Sequence, residues 1–589
     1  MTNGFRSQFI ELLRHGTTLA AVLCLFALCH PVEAFAQKKK RAATDENIYL
    51  DHADELQYNQ MEMPGVQVVR GRVEFRYQDS RLNCDSAYFN QQQNSFRAFG
   101  HVKMRKSGGI TITCDRANYY GLSGMVEARQ NVVLTQPGRS LHCDSLDYNS
   151  NTDYANYFGG NGGTLVDGKN KIVSRRGEYY LSQHEANFFD DVVMTSPQYR
   201  ITTDNLFYNT QTEEAHVTGP SVIKTNKGEV INTTDGYYYS RTDHMELNGR
   251  STITSKERDI VGDNLRYNNK TGDSEGHGDV KMVDKVNDRV ITGDNVFYNE
   301  KSRKGHGEGN VVYVDRKNKN SLKAQFVDYT DSAAVATGSP LVKDFLQKDT
   351  LYMSSDTIRM KAFHLDTDSV YRKIHCYNNV RMYRRDLQAV CGLMIYNTKD
   401  SCMTMYQDPI VWSDERQLFG DSIKAYTNDS TLREAYVMGQ AMSIEMARDR
   451  ENYNQISSRL MHAYFTDGKL RRTDAIGNVL SVFCPEDDKD STLIGLIYME
   501  TDTMRMFVTP TKQLDHIWSS KSEGTMYPMT QIPPGKDRLP GFAWFDYIRP
   551  LDPDDLYRRV GKGDNLKLMR QVAIRPPRQR IDGSREDQR

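Results

Sequence analysis

The sequence predicts an all-β fold: an elongated repeat whose strands turn a corner between two sheet faces, built from strand-turn-strand units of about thirty residues. Three features predict it, namely a phrase that recurs at nearly fixed spacing, a period of two within each copy, and a composition too lean for several thick cores. The recurring phrase is Asp-x-apolar-x-aromatic-Asn. It stands at 54–59, 85–90, 115–120, 144–149, 204–209, 235–240, 263–268 and 294–299, with looser copies opening at Arg175, Gln325 and Asp356. Successive starts lie 31, 30, 29, 31, 29, 31, 28, 31, 31 and 31 residues apart, a regularity that marks a repeat architecture. The chain is 38% hydrophobic with a mean hydropathy of −0.67, yet holds 34 Tyr and 41 Gly. A long thin sheet tolerates such a balance, because each layer covers only its neighbours. The formal net charge of −1 offers no broad positive field for nucleic acid.

A second phrase, Gly-x-Val, follows about fifteen residues after the first: Gly100-His101-Val102, Gly278-Asp279-Val280 and Gly309-Asn310-Val311, with Gly71-Arg72-Val73 and Gly219-Pro220-Ser221-Val222 as looser forms. Turn-rich stretches such as 268–273 separate the two, so the unit reads strand, turn, strand, turn. After each Asp the second and fourth residues are apolar, as a half-buried strand requires. Upstream, the apolar residue stands three before the Asp: Leu82, Ile112, Leu141, Ile172, Ile201, Ile260, Ile291 and Leu322. On a straight strand these two sets would face opposite ways. A bulge near the Asp reconciles them, and Gly262 and Gly293 sit there. The repeated Asp is therefore expected as a corner hydrogen-bond acceptor, since catalysis uses one or two placed carboxylates and not one per layer.

The aromatic of each copy forms a column when units stack. From this column we take Tyr119, Tyr148, Tyr179, Tyr208, Tyr239, Tyr267 and Tyr298, with Leu146, Leu206, Leu265 and Val296 two residues upstream, as candidates to line an apolar groove. An aromatic ladder that only holds the sheets together is the plainer reading, and the two roles are compatible. Cys84, Cys114 and Cys143 each precede the Asp of consecutive units. They are expected as small apolar filler or as neighbours able to form a disulfide, which needs Cα atoms within about 7 Å.

Residues 1–36 read as a cleaved signal peptide. Arg6, Arg14 and His15 precede an apolar run over 19–28, and Ala34-Phe35-Ala36 offers a small-x-small cleavage site before Gln37. A run of about ten residues is short for a span that needs roughly twenty. The remaining division is a β-repeat domain over 45–365, a diverged second repeat block over 366–510 with dense Met, and a Pro-rich aromatic and basic segment over 511–589. In the last, 541–547 (GFAWFDY) is expected as a cap over an open sheet edge or as a partner-docking peptide. Residues 558–589 carry ten Lys or Arg against four Asp or Glu, which suits a solvated tail or an anionic lipid surface.

The alternation of Asp-x-Leu-x-Tyr-Asn with Gly-Asn-Val, clearest at 262–268 and 293–299 with Gly278-Asp279-Val280 and Gly309-Asn310-Val311, resembles the OstA-like repeat. That repeat is shared by lipopolysaccharide-transport proteins of the LptA family and by the periplasmic part of LptD. The resemblance is good over 54–360 and weak over 370–510. It implies an open, twisted β-jellyroll whose interior holds acyl chains, a periplasmic location with outer-membrane association among the possibilities, no enzymatic activity and no cofactor. It also implies joining to other envelope transport proteins, or to further copies end to end, through sheet edges. The chain departs from a simple bridge protein in its many units, and the region after 510 lacks the strand pattern of a large membrane barrel. Two other classes compete. An enzyme on a β-helix would need an isolated cluster of acids or bases, and none stands out among the repeated Asp. A structural or adhesive envelope protein without cargo would have a fully filled interior.

Overall fold

The computed structural model describes residues 47–557, apart from 347–348, 366, 368, 429–430, 488–491 and 512–513. The expected signal peptide and the basic tail from 558 lie outside the described residues. Strand dominates, and helix among the described residues is confined to four short 3-10 turns. Each full-length strand pairs antiparallel with the traverse that follows it, as in Val66–Tyr77, Ser80–Asn90, Ser95–Lys106 and Ile110–Tyr120. The meander runs from Tyr49–His52 to Ser522–Tyr527 as one sheet. Some traverses are split at their midpoint into two segments, for example Asn170–Ser174 with Arg176–Tyr180. Counted as traverses, the described sheet has thirty. At about 4.8 Å per strand its arc is about 140 Å long.

Nearly every full-length pairing carries one register shift near its middle, as between Asn83 and Ser86 or between Val261 and Asn264. These bulges align into a crease that divides the sheet into two halves. The two sequence phrases meet there. Gly100, Gly278 and Gly309 are left-handed, with φ of 76°, 73° and 74°, and the residues after them, His101, Asp279 and Asn310, are left-handed too. Against each Gly lies the Asp of the neighbouring strand: a Cβ on Gly278 would stand 2.6 Å from Asp263 Oδ2. In several copies the second left-handed residue bonds the same carboxylate. Asn131 Nδ2 donates to Asp115 at 2.7 Å, and His101 Nδ1 lies 2.8 Å from Asp85. The Asp is thus the corner acceptor its spacing implied. The left-handed glycines, however, belong to the second phrase. Gly262 and Gly293 keep ordinary φ; Gly262 is wanted for space, because Leu265 folds over it at 2.7 Å from where a Cβ would stand, whereas a Cβ on Gly293 would meet Val296 at an ordinary 3.5 Å.

The crease turns one half over the other and buries an apolar row from each. The hydrophobic interior falls into a block from Ile48 to Leu265 and a second from Val311 to Met504. A third cluster sits on the back of the sheet, where Leu539, Phe542, Trp544, Phe545 and Ile548 cover Trp412, Phe419, Ile444 and Val482. The aromatic segment therefore lies across strands as a strap over the outer face, and no described residues cover the last edge, Leu514–Ser519 with Ser522–Tyr527. The strap is fixed by side-chain amides. Gln417 Nε2 donates to Ala543 O at 2.7 Å while its Oε1 accepts from Phe545 N at 2.7 Å. Gln455 does the same for Asp537 O and Leu539 N, both at 2.8 Å.

Candidate functional site

The interior is a facing pair of rows, each one residue per traverse. On one half, Tyr119, Val126, Tyr148, Ala155, Tyr179, Ala186, Tyr208, Ala215, Tyr238, Met245, Tyr267, Ser274, Tyr298, Gly305 and Tyr329 are consecutive cross-strand partners. Tyrosine alternates with a mostly small residue because adjacent strands are under 5 Å apart, too close for two rings to lie flat side by side. The ring of Tyr329 occupies the space above Gly305, and any side chain there would run into it. On the facing half the row is aliphatic: Ile201, Ile223, Ile231, Ile253, Ile260, Met282 and Ile291 in succession. Every upstream apolar position that the sequence singled out, from Leu82 to Leu322, belongs to this second row.

The structure places the groove candidates in three groups. Tyr119, Tyr148, Tyr179 and Tyr208, with Leu146 and Leu206, are buried in close packing. Leu265 is buried too, but Tyr267, Val296 and Tyr298 are half-buried. Tyr239 faces out of the sheet and stacks on His244. The inward place belongs to Tyr238, which is 2% exposed. The cause is a one-residue slip: Thr234, not Asp235, occupies the Asp position of this copy, and a shift of one residue exchanges the two faces of a strand.

Hydroxyl groups of the row tie the two halves together at the mouth of the fold. Tyr179 donates to Gln136 Oε1 at 2.6 Å, and Tyr208 to Asp167 Oδ2 at 3.0 Å. Asn170 Nδ2 donates to the Tyr208 hydroxyl at 3.1 Å, and Lys227 Nζ to Tyr267 at 3.3 Å and to Asn269 at 3.0 Å. Lys106 Nζ reaches Asp153 at 2.6 Å and Ser150 O at 2.5 Å, and Arg139 reaches both Asp167 and Thr210 O. Tyr77 donates to Gly121 O at 2.7 Å. Burial pushes the hydroxyls of Tyr119, Tyr148 and Tyr208 well above the ordinary tyrosine range, so they remain neutral donors. These latch residues went unnoticed in the sequence. A trace is there: Gln136, Asp167, Ser196 and Lys227 recur in turns at the period of the repeat.

Over 66–268 the interior between the rows is filled. A void lined by Phe75, Leu82, Phe96, Met104 and Tyr119 measures about 10 Å³, room for no more than one water. The groove-like stretch lies further on, between the two core blocks, where Met282, Ile291, Val296 and Tyr298 are only half-buried although they point inward.

Residues 45–204 match the family model of the OstA-like proteins. Over that stretch the chain is OstA-like. The OstA-like residues take in the first ten traverses, including the Asp85, Asp115 and Asp144 corners and the run of rings from Tyr119 to Tyr179. Among solved structures the chain is similar to LptH of Pseudomonas aeruginosa, described as the LptA-homologous periplasmic component of the lipopolysaccharide transport device. That similarity has 12% identity and a TM-score of 0.17, over 20% of this chain and 81% of LptH. No curated protein matches the chain.

Proposed function

We propose that this protein is a non-enzymatic, lipid-binding component of lipopolysaccharide transport and outer-membrane assembly, exported to the periplasm, which holds acyl chains between its tyrosine and aliphatic rows. The observation that carries the reading is the pair of facing rows, one of tyrosines spaced by small residues and one mostly aliphatic, left partly uncovered between Met282 and Leu322. Each acyl CH₂ taken out of water is worth about 0.8 kcal/mol, so a partly uncovered apolar stretch of this length gains from chains laid against it. The OstA-like match supports the same role, since proteins of that family are transport components. The division into a signal peptide (1–36), a repeat domain (45–365), a diverged block (366–510) and a C-terminal segment (511–589) is proposed with it. Among the described residues the sheet ends in open strands at both limits, with Leu56 and Tyr58 exposed on the first and Ile517 and Trp518 on the last. We propose these as joints to other envelope proteins or to a second copy by strand addition.

A cargo-free structural role is favoured by one observation, the filled interior over 66–268. Equilibrium binding decides between them. Purified mature chain is incubated with radiolabelled diphosphoryl lipid A and separated by gel filtration. Co-migration that unlabelled lipid A displaces is expected. A folded chain that carries no lipid sinks the transport reading and leaves the structural one.

A further inference from the structure

The latches across the mouth form a series that stops. Their positions on the aliphatic half advance by about one repeat at a time: Gln136, Asp167, Tyr199 (whose ring packs 4.7 Å from that of Tyr238), then Lys227. The next members fall near Arg258 and Arg289, and would face Tyr298 and Tyr329. Among the described residues no hydrogen bond or ion pair crosses there. Every polar contact of that region stays within its own half: Lys285 with Asp259, Arg289 with Asp315 and Arg316 with Asp288 on one side, Arg303 with Asp331 on the other. The core breaks at the same place, between Leu265 and Val311. Four inward positions there are glycine, at 276, 293, 305 and 307.

We propose that lipid is held and exchanged sideways through a window in this seam, between about residues 255 and 345, and that the latched stretch over 66–268 is a closed stalk through which chains do not pass. The proposal rests on the lipid-binding reading above and narrows it to one place. Charge names the occupant. The rim turns at 255–259, 284–289, 315–319, 268–272, 299–304 and 330–333 carry eleven Lys or Arg against seven Asp or Glu. A net positive rim over an apolar trough fits an anionic headgroup above buried chains. Size agrees: the window spans five to six traverses, about 24 to 29 Å, whereas one leaflet of acyl chain is about 15 Å, half of a hydrocarbon core of about 30 Å. A chain can lie lengthwise in it.

The test places a photoreactive benzophenone amino acid, in the full mature chain, at four members of one column: Tyr148 and Tyr208 in the stalk, Tyr298 and Tyr329 in the window. The probes are diphosphoryl lipid A and a neutral diacylglycerol, each in vesicles. Labelling by lipid A at 298 and 329 is expected to exceed that at 148 and 208 by about tenfold or more. Equal labelling along the column overturns the window and leaves lipid binding intact. No labelling anywhere in chains that keep their β-sheet circular dichroism overturns lipid binding itself. Arg258→Glu with Lys317→Glu should weaken lipid A labelling severalfold and leave diacylglycerol unchanged; equal loss of both overturns the headgroup contact. With a further benzophenone at Tyr238, Lys227→Ala with Asn269→Ala should extend labelling to that position; no extension overturns the latches as the boundary. Where a benzophenone variant fails to fold, hydrogen exchange on the unaltered chain replaces it: lipid A should protect amides in 289–329 and not in 139–209, and the reverse pattern overturns the proposal.

Discussion

At the scale of single residues the repeat is held by its corners. Asp294 lies over Gly309, whose φ is 74°, and also accepts from Asn310 Nδ2 at 3.2 Å. A Cβ at 309 would meet both a left-handed backbone and that carboxylate, so Gly309→Ala should cost about 2 to 4 kcal/mol in urea unfolding. Gly228 has φ of 87° and open space around it, so Gly228→Ala should cost only the backbone part, about 1 kcal/mol. Pairing Asp294→Ala with Gly309→Ala should recover about 1 kcal/mol through the removed clash; strict additivity would show that the carboxylate does not press on the corner. The spacing of Asp and Gly made this corner legible, but not which glycine is left-handed, because that depends on which strand carries the extra residue. The cysteine row was legible by position as well. Cys84, Cys114 and Cys143 lie in one row, separated by Val102 and Val132 on the strands between. Two strand spacings are about 9.6 Å, beyond disulfide reach, and all three thiols are free. Burial pushes them up to about 12, 11 and 12. A thiol raised in the folded state contributes stability in full below its unfolded value near 9 and loses it as pH rises toward the folded value. The native chain should therefore resist a thiol reagent at pH 8 that titrates the urea-unfolded chain, and its urea midpoint should fall between pH 9 and 11. Rapid labelling of the native chain would mean that the row is open to water.

At the scale of elements the strap and the latches do similar work by different means. The strap crosses strands at right angles to the ladder, so it cannot add to the sheet, and buried glutamines supply the backbone partners it would otherwise lack. Gln417 is the centre of this arrangement: its amide serves Ala543 O and Phe545 N, and its Oε1 also accepts from Trp412 Nε1 at 3.1 Å. Gln417→Ala strands three buried polar groups and should cost about 3 to 5 kcal/mol, with earlier tryptic cleavage at Arg538 as the readout. Unchanged cleavage would show that apolar packing by Phe542, Trp544 and Phe545 alone secures the strap. The aromatic run at 541–547 announced that something must be covered. What it covers was not legible, since the outward residues Trp412, Phe419 and Ile444 read in the sequence as ordinary members of loosened repeats. The slip at Tyr239 has the same origin. Three consecutive tyrosines at 237–239 fit either phase of a strand, and only the neighbours Ala215 and Met245, both pairing with Tyr238, decide it.

At the scale of the whole molecule the repeat itself made the architecture readable, because ten nearly equal steps leave little choice but stacked traverses. It did not reveal that the stack is interrupted. In a solenoid each layer is stabilised by its neighbours, and cooperativity passes through those contacts. Up to Leu265 the contacts include two filled rows and the latches between them. From Val311 onward a second filled block takes over, rich in Met353, Met382, Met394 and Met405. Between them the ladder hydrogen bonds continue, but the rows are half-exposed and glycine stands at inward positions, where each costs roughly 0.5 to 1 kcal/mol against a residue with a side chain. The weakest coupling in the chain should therefore lie over about 273–307. Unfolding in urea should proceed in two transitions, seen by tyrosine fluorescence for the first block and by Trp412, Trp518 and Trp544 for the second. Native-state hydrogen exchange should be slowest in 95–209 and at least tenfold faster in 273–307. Saturating lipid A, if it fills the window, should bring the two transitions together by bridging the blocks. A single transition without lipid, reported alike by both fluorophores, would show that the backbone ladder alone couples the blocks.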